Sequence, residues 1–300
     1  MTEKTKSAFI SIIGRPSSGK STLVNRLCGQ KVSIVSKTPQ TTRNSIRGVV
    51  TKGLCQLVLV DTPGVHISQK KMNKRLTKTA FGSIGESDVI LYLLDSSREA
   101  GLEEEAVAGR IAALGEDAVK NKTVACINKI DLKSSQKDKT LSFVKNSLPA
   151  LPDERIIFIS AKEKTNTDVL LDLLCDMADE GPFYYESGCF TDQEVVFRIA
   201  EIIREKCFIL LREEIPHAVY VDVYDAALKG DELYVSALIK CERESQKGVI
   251  IGSGGSMIEQ IRKMTMSDLK KIFDWKIRLE LRVKTDPNWR QNDKIIKTFV

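Results

Sequence analysis

Residues 14–21 read GRPSSGKS, between the apolar run Ala8–Ile13 and Thr22-Leu23-Val24-Asn25-Arg26-Leu27. The spacing G-x-x-x-x-G-K-S constrains the fold more than any other feature, because it requires a strand before it and a helix after it. Gly14 and Gly19 let the backbone curl so that the amides of Arg15, Pro16, Ser17 and Ser18 and their neighbours form an anion-binding wall, proline excepted as a donor. A helix starting near Lys20 and running through Thr22 adds unpaired amides and its dipole at the same point. Lys20 supplies a charge for β- and γ-phosphates, and the Ser21 hydroxyl a ligand for Mg²⁺.

The surrounding pattern agrees with that demand. Short β-branched and aliphatic runs recur at 8–13, 56–60, 89–94, 123–127 and 156–159, with helix-like stretches at 102–114, 136–147 and 166–178. Runs apolar at nearly every position suit strands buried on both faces of a parallel sheet, and strand alternating with helix is the signature of an α/β fold. The expected first domain, residues 1–180, is therefore a P-loop domain with a mostly parallel sheet flanked by helices. Ligands of such sheets lie beyond the carboxyl ends of the strands.

Several polar motifs stand at those ends. Asp61-Thr62-Pro63-Gly64 follows the run QLVLV. Asp61 can hold Mg²⁺ through water, and Gly64 leaves an amide free to approach a γ-phosphate and to flip when it departs. Asn128-Lys129-Ile130-Asp131 follows TVACI. A carboxylate at Asp131 accepts both N–H groups on one edge of guanine, a pattern adenine cannot match. Asn128 can tie this loop to the phosphate loop, and the stem of Lys129 can cover the base. Ser160, Ala161 and Lys162, after the last strand, place amides near the guanine O6. GTP, not ATP, is the expected nucleotide. In the polar stretch Lys37–Arg43, Thr42, with Thr41 as competitor, is the candidate to complete the Mg²⁺ shell and sense the γ-phosphate. The catalytic set on this reading is Lys20, Thr42 and Gly64, and the metal set Ser21, Thr42 and Asp61.

The style changes at Glu180-Gly181-Pro182, read as the start of a linker over 181–190, with a second domain over 191–300. Val196, Ile199, Ile203, Cys207 and Leu210 form one apolar helical stripe. Strand candidates at 218–224 and 232–240 flank the turn Lys229-Gly230-Asp231, and a helix to about 272 precedes the alternating strand 276–283. Between two helices lies Gly252-Ser253-Gly254-Gly255, a G-x-x-G loop of the kind with which KH domains clamp single-stranded nucleic acid. Helix, strand, strand, helix, helix, strand is the order of a smaller α+β type II KH domain. Val249 and Ile251 can touch bases. The variable pair, Ser253-Gly254, carries no cation, so phosphate contacts fall to amides and to Lys247, Arg262 and Lys263.

TTR at Thr41–Arg43 and DTPG at Asp61–Gly64 resemble the translation-factor-related GTPases. Joined to a type II KH domain, with EGPFYY, AEIIREKCFILLREEIPHAV, Val283-Lys284 and Asn288-Trp289-Arg290 at corresponding places, the whole chain resembles the Era family of bacterial ribosome-assembly GTPases. The resemblance implies a slow GTPase that binds the 3′ end of small-subunit (16S) ribosomal RNA through its KH domain when GTP-loaded and assists maturation of the small ribosomal subunit. It also implies an apolar residue after DTPG, here Val65, where other GTPases carry a water-orienting glutamine. Many relatives have asparagine at the fourth loop position, where it helps hold K⁺. Ser17 stands there, so K⁺ activation does not carry over. The segment Ile67–Lys74 is also poorer in proline than is usual in that family.

Charge and cysteines set the remaining bounds. The net charge is +6, with 27 basic and 21 acidic residues up to Gly181 and 19 of each beyond it. Residues 262–297 alone hold eleven basic against five acidic side chains, an excess suited to a polyanion. The seven cysteines are scattered, without a CxxC pair, which argues against a zinc site or disulfide framework and for a reduced, cytoplasmic protein. No apolar run approaches transmembrane length, and the polar start MTEKTKS is not a signal peptide. A monomer is expected. The rivals are a GTPase of tRNA modification, an RNA-binding module with a degenerate nucleotide pocket, and weak peripheral attachment at the inner membrane through the 262–297 segment.

Overall fold

In the computed structural model, which describes residues 4–67 and 71–291, the chain forms two compact units. One takes the chain up to Ser33 and Thr42–Asp192; the other takes Ile34–Thr41 and the chain from Gln193. Part of the proline-poor segment, residues 68–70, and the basic tail beyond 291 lie outside the described residues.

In the first unit β1 (Lys6–Ile13) leads through the glycine-rich loop into α1 (Lys20–Cys28). Strands β2 (Ile46–Lys52) and β3 (Cys55–Asp61) precede α2 (Lys71–Gly85) and β4 (Val89–Asp95). The alternation continues through α3 (Leu102–Ala112), α4 (Glu116–Lys122), β5 (Thr123–Asn128) and α5 (Lys137–Ser147). It ends with β6 (Ile156–Phe158), α6 (Thr167–Asp176) and the two-residue β7 (Asp179–Glu180). The sheet order is β2-β3-β1-β4-β5-β6, with β7 against the start of β1. All neighbours are parallel except β2 on β3 and β7 on β1. Every residue of β4 and β5 is buried, as helices covering both faces require. The parallel register brings the carboxyl ends of β1, β3, β4 and β5 to one edge, which places Gly14, Asp61, Asp95 and Asn128 together.

The edge strand β2 was not evident from pattern. Arg47, Thr51 and Lys52 are exposed on it, so its run of apolar residues is broken, as an edge with one open side permits. Residues 181–190, the expected linker, and the two residues after them pack along the first unit. The Gln56 amide accepts from the Tyr184 and Tyr185 amides at 2.8 and 2.9 Å and donates to the Tyr185 carbonyl at 2.9 Å. Tyr184 meets Phe9 with ring centroids 4.7 Å apart, and the Val49 amide donates to Phe190 O at 2.9 Å. A buried glutamine satisfied by this backbone fixes the strap to β3, and the first unit runs to Asp192.

The second unit comprises α7 (Val195–Leu210), α8 (Ile215–Ala218), β8 (Tyr220–Lys229), β9 (Glu232–Cys241), α9 (Glu244–Ile251), α10 (Ser256–Ile272) and β10 (Lys276–Thr285). Its sheet has the order β10-β9-β8, with β9 parallel to β10 and antiparallel to β8. Alternate residues of β9, Leu233, Val235, Ala237, Ile239 and Cys241, are buried and share one core with Ile199, Ile203 and Cys207 of α7 and Ile261 and Leu269 of α10. Trp289 is fully buried, donates from Nε1 to Ala218 O at 3.0 Å and stacks on Tyr220. Segment 34–41 belongs to this unit: the Val35 amide donates to the Glu205 carboxylate of α7 at 2.8 Å.

Candidate nucleotide and nucleic-acid sites

The glycine-rich loop is pre-shaped by its own side chains. Lys20 Nζ donates to Gly14 O at 3.0 Å and Arg15 O at 2.8 Å, so the ammonium points back into the loop. Gly19 caps α1 in the left-handed region, φ 104°, and its neighbour space is filled by the Asn128 amide, whose Nδ2 donates to Ser18 O at 2.8 Å. Asn128 Oδ1 in turn accepts from the Ala161 amide at 3.0 Å. One buried asparagine thus ties together the phosphate loop, the end of β5 and the loop after β6, as its place in the motif anticipates.

The hydroxyl and carboxylate set converges as well. Ser21 Oγ lies 2.9 Å from Thr42 Oγ1 and donates to Asp61 Oδ2 at 2.7 Å. Thr41 points elsewhere: its hydroxyl donates to Thr38 O at 2.6 Å and meets Ser36 Oγ, also at 2.6 Å. Asp61 Oδ1 is buried without a hydrogen-bond partner, an arrangement costly in a finished core and apt for a carboxylate that completes a cation's shell through water. The residues present therefore fit a magnesium ion. Burial raises the Asp61 carboxyl above its ordinary value, opposed by the Ser21 hydroxyl and the Lys20 charge. Burial likewise lowers Lys20 from 10.5 to about 8, opposed mainly by Asp61. Both shifts describe a polar pocket whose charges want a charged guest.

Gly64 is required by close approach. A Cβ there would stand 2.7 Å from the Pro16 backbone N and Cα, so the loop after β3 lies directly on the phosphate loop. The next residue, Val65, is fully buried in the core with Ile13 and Ala80, and its amide donates to Gly14 O at 3.1 Å. Its side chain has no polar atom with which to hold a water and is buried among apolar groups.

In the base-recognition corner, Asp131 is exposed, and its Oδ1 accepts from Ser160 Oγ at 2.6 Å. Arg26 of α1 grips the following loop, donating from Nε to Ala161 O at 3.2 Å and from Nη2 to Lys162 O at 2.9 Å. Lys129 has φ 66°, a left-handed turn that lifts its side chain over the site, where Nζ lies 2.6 Å from Asp95 Oδ2.

Asp95 and Glu104 were not among the motif residues. Asp95 Oδ2 also takes Arg15 Nη2 at 2.7 Å, and Arg15 Nε lies 2.5 Å from Glu104 Oε1. The side chains of Arg15, Asp95 and Glu104 are at most 6 % exposed, which marks a built-in pair rather than a solvated one. A signal existed for Asp95, since it stands at a strand's carboxyl end as Asp61 and Asn128 do. Glu104 gave none: within LEEEAV it reads as helix-start acid, and its Oε2 does accept from the Gly101 amide at 3.0 Å.

In the second unit, α9 ends at Gly252 (φ 73°), and Gly254 and Gly255 also have positive φ, 56° and 81°. At Gly252 a Cβ would come within 2.8 Å of Met257 N and Cβ, so that position admits no side chain. Ser253 and Gly254 are exposed at its tip. Val249 is 49 % exposed while Ile250 is fully buried, so the end of α9 offers one apolar contact to the outside and anchors with the next residue. Lys247 pairs with Glu244 at 3.4 Å. Arg262 makes two 2.8 Å bonds to Glu259, and Lys263 lies 3.9 Å from the same carboxylate. Arg262 and Lys263 line an open groove of about 480 Å³ along α10 with Met266, Ser267, Lys270 and Lys271. On β10 three of the four cations are also paired: Lys276 with Asp231, Arg278 with Glu232 and Arg282 with Glu280.

A family model described as 50S ribosome-binding GTPase matches residues 9–129, and one described as KH domain matches residues 214–290. The chain is 47% identical over 293 residues to GTPase Era of Treponema denticola, covering 97% of this chain and 98% of that one. It belongs to the Era family of GTPases. Among solved structures, a single-residue variant of Aquifex aeolicus Era bound to GDP·AlF₄⁻ superposes with a TM-score of 0.90 at 30% identity, over 98% of this chain and 99% of that one. Era in complex with MgGDPNP and nucleotides 1506–1542 of 16S ribosomal RNA gives 0.89 at 30% identity, over 98% of both chains. The two-part fold, a P-loop domain with a mostly parallel sheet followed by a KH domain, is therefore that of the Era family from end to end.

Proposed function

We propose that this Era-family GTPase is a GTP-driven switch that holds the 3′ end of small-subunit ribosomal RNA on its KH unit during assembly of the small subunit. The observation that carries the reading is the likeness, over nearly all of both chains, to an Era bound at once to MgGDPNP and a 16S fragment. An intact pocket and a G-x-x-G turn whose first glycine admits no side chain support it. In that reading Gly252–Gly255 lets a sugar–phosphate backbone lie close, Val249 and Ile251 meet bases, and Lys247, Arg262 and Lys263 meet phosphates. With no lysine in the turn itself, the salt dependence of RNA binding should be shallow.

The geometry of the first unit supports the chemistry proposed for it. Backbone amides of Gly14–Thr22 and the Lys20 ammonium hold the phosphates, while Asp131, Lys129, Asn128 and the amides of Ser160–Lys162 hold guanine. Ser21, Thr42 and Asp61 would hold Mg²⁺, which neutralises charge on the β- and γ-phosphates when bound. Thr42 rather than Thr41 takes this role, since its hydroxyl is the one beside Ser21. Neither Val65 nor Ser17 aligns the attacking water or holds a monovalent cation, so the unaided rate is slow and K⁺ dependence weak. The γ-phosphate would order Thr42 and Gly64. Thr42 continues directly from segment 34–41, which Glu205 holds by the Val35 amide, so the two ends of one short stretch answer to nucleotide and to α7.

The protein is proposed to act as a monomer in the cytoplasm; among the described residues no helix is long and apolar enough to cross a membrane. Attachment at the inner membrane draws little support from β10, three of whose four cations are paired. Crosslinking to RNA in cells, followed by sequencing of what is bound, tests the assignment. Enrichment at the small-subunit 3′ end is expected, and enrichment of tRNA would overturn it. Equal RNA affinity in the GTP-analogue and GDP states would refute the switch.

A further inference from the structure

The helix that starts at the phosphate loop reaches the base corner with its last turn. Lys20 and Ser21 open α1, and Arg26 stands near its end, partly buried. Its guanidinium spans two successive carbonyls of the loop after β6, Ala161 O at 3.2 Å from Nε and Lys162 O at 2.9 Å from Nη2.

Those two carbonyls decide where the amides of the loop point. No peptide bond among the described residues is cis, and a trans peptide carries its C=O and its N–H on opposite edges. With Ala161 O turned to Arg26, the Lys162 N–H is turned away from it. With Lys162 O turned the same way, so is the Glu163 N–H. The Glu163 amide donates to Ser160 Oγ at 3.0 Å, and that hydroxyl donates to Asp131 Oδ1 at 2.6 Å. The Ser160 amide is committed to Thr165 O at 3.2 Å and the Ala161 amide to Asn128 Oδ1 at 3.0 Å. Along Ser160–Glu163, only the Lys162 amide makes no hydrogen bond to a described residue. The Lys162 side chain is 77% exposed and pairs with Glu163 at 3.0 Å, so what this residue offers the corner is its backbone.

We propose that Arg26 is a positioning residue that sets guanine specificity: by holding the Ala161 and Lys162 carbonyls it presents the Lys162 amide to the guanine O6 and keeps the Glu163–Ser160–Asp131 chain in place. The inference rests on the base site proposed above and names the group that aims it. An amide fixed toward an acceptor on the base rejects adenine, whose exocyclic NH₂ would meet it as a second donor. Arg26 acts through the backbone and touches no nucleotide atom. Its planar fork engages both carbonyls at once, which the point charge of a lysine does not reproduce. A cation in the last turn of a helix is also favoured by the dipole. A role confined to that effect would lower stability without moving the Lys162 amide.

The test uses the full-length protein labelled at lysine with the heavy nitrogen isotope, the Lys162 amide resonance assigned through Lys162→Arg, and GDP as the probe. In the wild type GDP should move the Lys162 amide proton downfield, the mark of a new hydrogen bond to an acceptor. In Arg26→Ala the GDP affinity should fall about tenfold, read by competition against a fluorescent GDP analogue, and at saturating GDP the downfield shift should be lost. Arg26→Lys keeps the charge and serves as the second variant, with the same two readouts, if Arg26→Ala folds poorly. Wild-type affinity in both variants, or weaker binding with the downfield shift intact, would overturn the role of Arg26. A wild-type Lys162 amide that GDP leaves unmoved would overturn the base-site reading itself, and this inference with it.

Discussion

Asp95→Asn changes one atom type at the junction of the phosphate loop and the base loop. The carboxylate's Oδ2 receives Arg15 at 2.7 Å and Lys129 at 2.6 Å, while Oδ1 receives the Ser97 amide at 2.9 Å and its hydroxyl at 2.5 Å. All four neighbours are donors, so an asparagine NH₂ meets a donor whichever way it is turned. Removing one partner of a buried pair costs about 3–5 kcal/mol. Two features reduce that here. Arg15 keeps Glu104 at 2.5 Å, and the Lys129 side chain is 29% exposed, so its share is screened. We expect a loss of about 2 kcal/mol in unfolding free energy, read from urea denaturation followed by far-UV circular dichroism. Nucleotide affinity should fall about tenfold, equivalent to about 1.4 kcal/mol, as Lys129 and Arg15 lose a common anchor. Because the affected groups serve the base and the loop, not the γ-phosphate, GDP and GTP should weaken alike, measured with fluorescent nucleotide analogues. A variant with unchanged affinity and less than about 0.5 kcal/mol of destabilisation would refute the role assigned to Asp95.

Asp131→Asn removes the acceptor for both N–H groups of guanine and should cost about 3 kcal/mol or more in GDP binding, with xanthine nucleotides bound in preference; competition binding decides it. Gly64→Ala places a methyl 2.7 Å from the Pro16 backbone, so the loop must shift, and GTP turnover should drop at least tenfold while GDP binding holds. Lys20, lowered to about 8 by burial, differs from its ordinary 10.5 in the direction that makes the folded, nucleotide-free protein bind fewer protons. Its stability contribution therefore rises with pH between those two values, and nucleotide binding, which restores the ammonium, takes up a proton in the same window. Calorimetry in buffers of different ionisation enthalpy should read an uptake of about half a proton or more at pH 8.5 that is absent at pH 6.5. Ser17, held at φ 61°, sits where asparagine is less strained. Ser17→Asn should stabilise the loop by about 0.5 kcal/mol and bring a K⁺-over-Na⁺ preference in GTP hydrolysis. A wild-type rate already tenfold higher in K⁺ would contradict the role given to Ser17.

Local chemistry and strand pattern made the nucleotide edge legible, because each motif lies at the end of a run that can only be a buried strand. GRPSSGKS, DTPG and NKID each declare their neighbours in sequence. The place of Asn128 in NKID predicts a tie between loops, and its Nδ2 makes that tie at 2.8 Å to Ser18 O. What escaped notice were contacts between distant segments that carry no local mark. Glu104 reaches Arg15 across 89 positions, and Gln56 inside QLVLV fastens a strap 128 residues away. The strand β2 was hidden for a different reason: an edge strand with Arg47 and Lys52 exposed lacks the continuous apolar run by which its neighbours were recognised. In the second unit the order of elements is readable from β9, where every other residue is buried, and from β10, where buried or half-buried residues alternate with exposed ones, while the four-residue helix α8 is too short to have a period.

The slow hydrolysis expected here has a structural basis more specific than a missing glutamine. Val65 is fully buried in the core, and its amide is committed to Gly14 O. Reorienting its side chain toward a nucleotide would uncover apolar surface at a cost of about 1.5–3 kcal/mol, so the position is closed to catalysis by packing as well as by chemistry. A Val65→Gln variant therefore should not gain activity: the amide would be buried without a partner or would pull the loop off β1. We expect reduced thermal stability and no increase in turnover. If Val65→Gln hydrolysed GTP several-fold faster than wild type at unchanged stability, the packing argument would be wrong. The slow rate would then reflect only the absent hydrogen-bonding group. With packing in control, acceleration has to come from outside the side chain at this position, through backbone, metal or a bound partner, which is where a checkpoint on ribosomal RNA would place it.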